Sequence, residues 1–309
     1  MSEITHVETI GELNAFFHQE KPKHPLISII DFSKTPAYEG ESLKVTTGFY
    51  SVMLKNHCFG RFTYGRSHFD FEEGALMCSA PHQVGTVEPE LDKEKALTGW
   101  GLFFHPDLLL RTSLSGKMDN YTFFDYDMNE ALHLSDKEKQ TLNDCIKNIG
   151  DELDQNIDKH SQTLLVSNIE LLLNYCTRFY DRQFITRSTT NKDILIRFEQ
   201  VLKDYFQHEN LRSTGLPTVK YCAEKLALSG NYLSDLLKKE TGKNAQEHIH
   251  NYLIEQAKTA LLGTSAPVSE IAYDLGFEYP QYFSKLFKAK TGMTPALYRN
   301  EKNGFISEN

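Results

Sequence analysis

Three observations predict an α+β protein. The first third of the chain breaks into short β-branched and aromatic runs, the middle holds two long amphipathic stretches, and the last third repeats itself in a helical pattern. The repeat is the sharpest of the three. Residues 232–242 (YLSDLLKKETG) and 282–292 (YFSKLFKAKTG), laid over each other at an offset of 50, agree at six of eleven positions.

Taken in order, the runs 26–32, 43–55, 61–71, 74–80 and 97–105 read as strands separated by Gly, Pro and Asn. Many short strands at even spacing suggest a barrel or jelly roll. The stretch 135–156 opens with SDKE, a serine followed three residues later by glutamate, which is a capping-box pattern. The stretch 158–184 carries Leu164, Leu165, Ile169, Leu171, Leu172, Leu173 and Tyr175, too many apolar positions for one narrow stripe, so it needs burial on more than one side. Packing on the first helix and the barrel would satisfy it, and so would a two-fold interface between chains. Residues 184–192 (FITRSTTNK) lose apolar character and read as a linker, followed by one helix (DILIRFEQVLKDYFQHE).

Each copy of the repeat has a helical period, with Leu233, Leu236 and Leu237 on one face of the first and Phe283, Leu286 and Phe287 on the same face of the second. Each stops at a glycine suited to a left-handed cap, Gly242 and Gly292. Upstream of each lies a shorter helical segment, 219–228 and 269–277, preceded by Pro217 or Pro267 and containing Ala223 or Ala272 where two crossing helices need a small side chain. Helix, tight turn and helix, twice over, makes two helix-turn-helix units. With the apolar stripes inward, the opposite faces present Asn231, Ser234, Asp235 and Lys238 in one copy and Gln281, Ser284, Lys285 and Lys288 in the other. Short, donor-rich faces of this kind suit base edges in a major groove. The solvated face of a small bundle is the plainer alternative for one copy, but a second copy joined through the long helical stretch 245–262 could set two reading helices one DNA turn, roughly 34 Å, apart.

From about residue 193 to 299 the chain resembles the DNA-binding domain of the AraC family of bacterial transcription regulators. The resemblance is carried by Ile271, Ala272, Leu275, Gly276, Phe277, Phe283, Lys288, Gly292, Pro295, Tyr298 and Arg299. It implies that the first turns of both second helices read DNA, through Asn231, Ser234, Asp235, Gln281, Ser284 and Lys285. Asp235 departs from the basic or amide residue frequent in the family; it either accepts a hydrogen bond from cytosine N4 or faces solvent. Pro280 occupies a reading position and offers apolar contact. The family commonly places a small cupin-like barrel before this domain, and EEGALMCSAPHQV (72–84) is similar to the cupin turn. The resemblance implies an effector-binding sensor and pairing of two chains through the helical hairpin; RNA polymerase is a candidate further partner.

Composition bounds these expectations. With 309 residues, 40% of them hydrophobic, the chain can build two cores. No apolar run approaches a membrane span and no basic region followed by an apolar stretch opens the chain, so a cytoplasmic protein with no membrane partner is expected. Five cysteines, Cys58, Cys78, Cys145, Cys176 and Cys222, lack any CxxC and read as reduced, mostly buried thiols. Residues 191–300 hold 14 Lys and Arg against 12 Asp and Glu, within a chain whose net charge is −9. Non-specific affinity for DNA should therefore be modest, with local patches such as Lys238, Lys239, Lys243, Lys285, Lys288 and Lys290 or a dimer supplying the rest. His57, His68, His82 and His105 are well separated, and the one His-x-His, His248 and His250, lies on a helix where residues two apart face different ways. No GxSxG or phosphate-binding glycine pattern occurs. No metal, cofactor or catalytic residue is expected.

The expectation is an α+β fold: a cupin-like sensor β-barrel over 1–134, a helical hairpin with linker over 135–190, an all-α DNA-binding domain with two helix-turn-helix units over 191–300, and a tail over 301–309. Its function would be sequence-specific regulation of transcription on double-stranded DNA, as a homodimer answering to a small-molecule effector. A cupin-like enzyme with a regulatory tail and a protein-binding adaptor are the alternatives.

Overall fold

A computed structural model describes residues 4–36, 38, 40–55, 75–87, 98–127, 130–186, 188–208 and 210–306. The chain forms two compact units, Met1–Thr186 and Arg187–Asn309.

In the first unit, β1 (Ile4–Val7) leads to α1 (Ile10–Phe16), followed by β2 (Ile27–Asp31), β3 (Leu43–Thr47), β4 (Tyr50–Lys55), β5 (Ala75–Ser79), β6 (Val84–Val87), β7 (Gly99–Phe104) and the short β8 (Leu132–His133). The expected single strand over 43–55 is two strands in two sheets, because the chain breaks at Gly48 and Phe49 and carries Phe49 into the core. The expected strand 61–71 lies outside the described residues, as do His57, His68 and Cys58. One sheet has the order β1-β3-β6, with β1 parallel to β3; the other, antiparallel throughout, has the order β2-β7-β4-β5-β8. Among the described residues the strands form these two sheets and not one closed ring. They share a core in which Val7 and Val45 of the small sheet meet Ile30, Phe103 and Met53 of the large one, with Ile10 and Leu13 of α1.

A cavity of about 210 Å³ lies against both sheets. Phe16, Met53, Met77, Phe103, Phe123 and Tyr180 contribute apolar walls, and Lys55 and Asp127 bring charge to its lining. Burial raises the pKa of Asp127.

Helices α2 (Asp136–Leu153) and α3 (Ser161–Thr186) form the expected hairpin. The Ser135 hydroxyl accepts from the Glu138 N–H while the Glu138 carboxylate accepts from the Ser135 N–H, completing the capping box. Arg182 of α3 then grips the same carboxylate with Nε and Nη2 at 3.0 and 2.8 Å, and gives Nη2 to the His133 carbonyl at 2.7 Å. Buried Gln183 accepts from the His133 N–H and donates to the Ala131 carbonyl, tying α3 to β8. Leu165, Ile169, Leu172 and Leu173 are buried, whereas Leu164 and Leu171 on the other side of α3 are 47% and 44% exposed. Trp100 of β7 donates its indole N–H to Asn143 of α2 at 2.8 Å. Where a linker is expected, α3 runs on to Thr186 and α4 (Ser188–His208) begins two residues later.

The second unit is all helix. After α4 come α5 (Leu211–Thr214), α6 (Val219–Leu226), α7 (Gly230–Thr241), α8 (Ala245–Gly263), α9 (Val268–Asp274), α10 (Pro280–Thr291) and α11 (Pro295–Ile306), the last extending into the stretch expected as a tail. Helix α8 opens on an Asn244–Glu247 capping box and packs against α6, α7, α9, α10 and α11. Among the described residues no helix is long and apolar enough to cross a membrane.

Candidate nucleic-acid interface

Two helix pairs, α6 with α7 and α9 with α10, are built the same way. In each, the small alanine of the first helix, Ala223 or Ala272, is buried. Each first helix ends in a Schellman motif: Leu228 N–H donates to the Ala223 carbonyl and Ala227 N–H to Glu224, and likewise Phe277 N–H donates to Ala272 and Gly276 N–H to Tyr273. The left-handed residue is Ala227 (φ 57°) in the first pair and Gly276 (φ 87°) in the second. Each second helix stops at a left-handed glycine, Gly242 or Gly292. The preceding threonine closes the end, with Thr241 and Thr291 donating to Leu237 and Phe287 and accepting from the N–H groups of Lys243 and Met293.

Packing fixes which faces remain outside. Leu233, Leu236 and Leu237 of α7 and Phe283 and Phe287 of α10 are fully buried, and burial of each such side chain is worth roughly 1.5–3 kcal/mol. Phe283 and Phe287 sit in one cluster with Leu253, Ala257 and Leu261 of α8 and Ile271, Ala272 and Leu275 of α9. Phe287 also meets the ring of Tyr298 at 5.4 Å. Arg299 donates to the Leu261 and Ala266 carbonyls, both at 2.9 Å, so α11 closes the open end of α8. Of the residues with the expected reading role, Asn231, Lys238, Gln281, Lys285 and Lys288 are exposed, and Ser234, Asp235 and Ser284 are half-buried. All eight lie off the buried stripes of their helices. His248 and His250 belong to α8: His248 meets the Thr241 hydroxyl at 2.7 Å, His250 meets Gln246, and burial lowers the pKa of both rings.

The pairs differ at the second turn. Ala223 and Ala272 are 49 residues apart, whereas Gly242 and Gly292 are 50 apart, so the second connection holds one extra residue. Ser229 caps α7 through the Tyr232 N–H; the corresponding N-cap of α10 is Tyr279, without a side-chain bond, followed by Pro280. Tyr232 is 5% exposed, but Tyr282 at the equivalent place is 60% exposed and Tyr279 is 47% exposed. Sequence reasoning missed this aromatic display because the repeat places Tyr232 and Tyr282 in one column; the change of offset was the only signal.

A helix-turn-helix domain family model matches residues 222–301. The C-terminal unit is an AraC-type helix-turn-helix domain. Its relatives include YijO of Escherichia coli K12, described as an uncharacterized HTH-type transcriptional regulator, which is 28% identical over 137 residues, or 44% of this chain and 46% of that protein. YfiF of Bacillus subtilis, described in the same terms, is 31% identical over 148 residues, covering 48% of this chain and 44% of that protein. The chain thus spans less than half the length of these curated relatives. The solved C-terminal domain of the two-component response regulator yesN from Fusobacterium nucleatum is 34% identical, with 33% of this chain and 96% of that chain covered and a TM-score of 0.29. In the AraC-type domain here, the match begins at Cys222 in α6 and ends at Glu301 in α11, and so takes in both helix pairs.

Proposed function

We propose that the protein is a sequence-specific DNA-binding transcription regulator that reads two successive major-groove segments with α7 and α10. The observation that carries this reading is the duplicated helix pair with its apolar side sunk into α8 and its polar, lysine-bearing side outside, within the span of the helix-turn-helix match. In this reading Asn231, Ser234, Asp235, Gln281, Ser284 and Lys285 face base edges, while Lys238 and Lys288, a turn further along, neutralise phosphates. The near-neutral charge of the unit leaves little non-specific affinity, so tight occupancy calls for two chains acting together.

The first unit supplies the rest of the proposal, with residues 1–134 as a cupin-like sensor and 135–190 as the pairing element. The exposed Leu164 and Leu171 of α3 support a two-fold contact between chains. The apolar cavity against the sheets supports an effector that is itself largely apolar, whose binding biases how the two DNA-binding units of a homodimer are held. A cytoplasmic setting and contact with RNA polymerase complete the reading.

Selection from a random duplex library with the full-length protein tests it. The expected result is one motif with two contacted segments about 10–10.5 base pairs apart, and a Gln281→Ala or Lys285→Ala variant that relaxes preference at one or two positions of the second segment. Recovery of no motif over a mock selection would sink the reading.

A further inference from the structure

The leading turn of α10 departs from the polar display of the other reading positions. Tyr279 and Tyr282 stand 47% and 60% exposed with their rings in T-shaped contact at 5.9 Å, and Pro280 sits between them at the first helical position. Two half-bare aromatic rings side by side are an apolar patch in water, and such patches mark contact surfaces. The patch is a feature of this copy alone, since Tyr232 in α7 is buried and the cap there is Ser229.

Charge says what the patch faces. Helix α10 (PQYFSKLFKAKT) carries Lys285, Lys288 and Lys290 and no acidic residue, whereas α7 (GNYLSDLLKKET) balances Lys238 and Lys239 with Asp235 and Glu240. An aromatic leading turn backed by three cations suits a polyanion that also offers an apolar group at the point of entry. In a major groove that group is the C5-methyl of thymine, the one apolar feature on any base edge. Proline has no N–H, and each half-exposed tyrosine ring presents carbon surface around a single hydroxyl, so the three residues offer chiefly ring and methylene surface in place of donors.

We infer that Tyr279, Pro280 and Tyr282 form an apolar platform that selects thymine through its C5-methyl group in the segment read by α10. Tyr279 and Tyr282 are thereby specificity-determining residues additional to the eight polar ones. The inference rests on the DNA-binding reading above.

Deoxyuridine scanning separates the two. Full-length protein is titrated against its selected duplex and against duplexes in which each thymine is replaced singly by deoxyuridine, which keeps the base pair and removes only the methyl. Affinity should fall about fourfold for each contacted methyl in the α10 segment, the worth of one methyl-sized group withdrawn from water. The sensitivity should vanish in the Tyr279→Ser/Tyr282→Ser double variant and persist in Tyr279→Phe/Tyr282→Phe, which keeps both rings. Methyl-insensitive binding by the wild-type protein, or sensitivity that survives the serine substitutions, overturns the platform while leaving sequence-specific binding intact. If the wild-type protein selects no duplex at all, the DNA-binding reading falls and the platform with it.

Discussion

At Gly276 the backbone is left-handed (φ 87°), and an added Cβ would lie 2.9 Å from the carbonyl carbon of Gly215 and 3.0 Å from its oxygen. Backbone meets backbone there, so no side-chain adjustment can make room. Gly276→Ala should cost roughly 2–3 kcal/mol from strain, read as a lower midpoint in thermal or urea unfolding of the second unit. The same Schellman position in the first pair is held by Ala227 at φ 57°, where the left-handed conformation costs a residue with a Cβ roughly 1–2 kcal/mol. Ala227→Gly should therefore stabilise by roughly 0.5–1 kcal/mol after the extra chain entropy of glycine is counted. Opposite signs at equivalent positions would be hard to obtain from any cause but the backbone; equal signs would refute the account.

Among the elements, the α2–α3 hairpin depends on one carboxylate. Partial burial pushes the pKa of Glu138 up, but hydrogen bonds from the Ser135 N–H and hydroxyl and the Arg182 guanidinium outweigh it and hold it below its usual value of 4.5. A depressed folded-state pKa gives stability that is present above 4.5 and lost as pH falls through the lower folded value. Acid titration of the first unit should show this loss, and Glu138→Gln should flatten it. An unchanged acid profile in that variant would remove Glu138 from the account. The capping box behind this behaviour was legible from SDKE, as were the buried stripes of α7 and α10 and their terminal glycines, because local spacing determines all three. The split of 43–55 between two sheets was not legible: a break at Gly48 and Phe49 inside a strongly β-forming run is decided by which sheet each half can pair with. Nor was the exposure of Tyr282, which depends on one extra residue in the turn before it.

For the whole molecule, the proposed assembly turns on the outer side of α3. A glutamate in place of Leu171 adds a charge to a surface already 44% exposed, so each chain should fold unchanged. The expected outcome for Leu171→Glu is a shift from dimer to monomer in sedimentation, with loss of binding to paired sites and retention of the weaker single-site affinity. A variant that stays dimeric would move the interface elsewhere. The chain also contains one tryptophan, Trp100, placed where β7 meets α2. Its fluorescence belongs entirely to the first unit, since the second has no indole to contribute. Emission therefore reports on the junction of β7 with α2, on the face of the large sheet away from Phe103 and its cavity, so one chain offers two separate signals: indole light for the packing of α2 on β7, and the anisotropy of a labelled duplex for DNA held by the second unit.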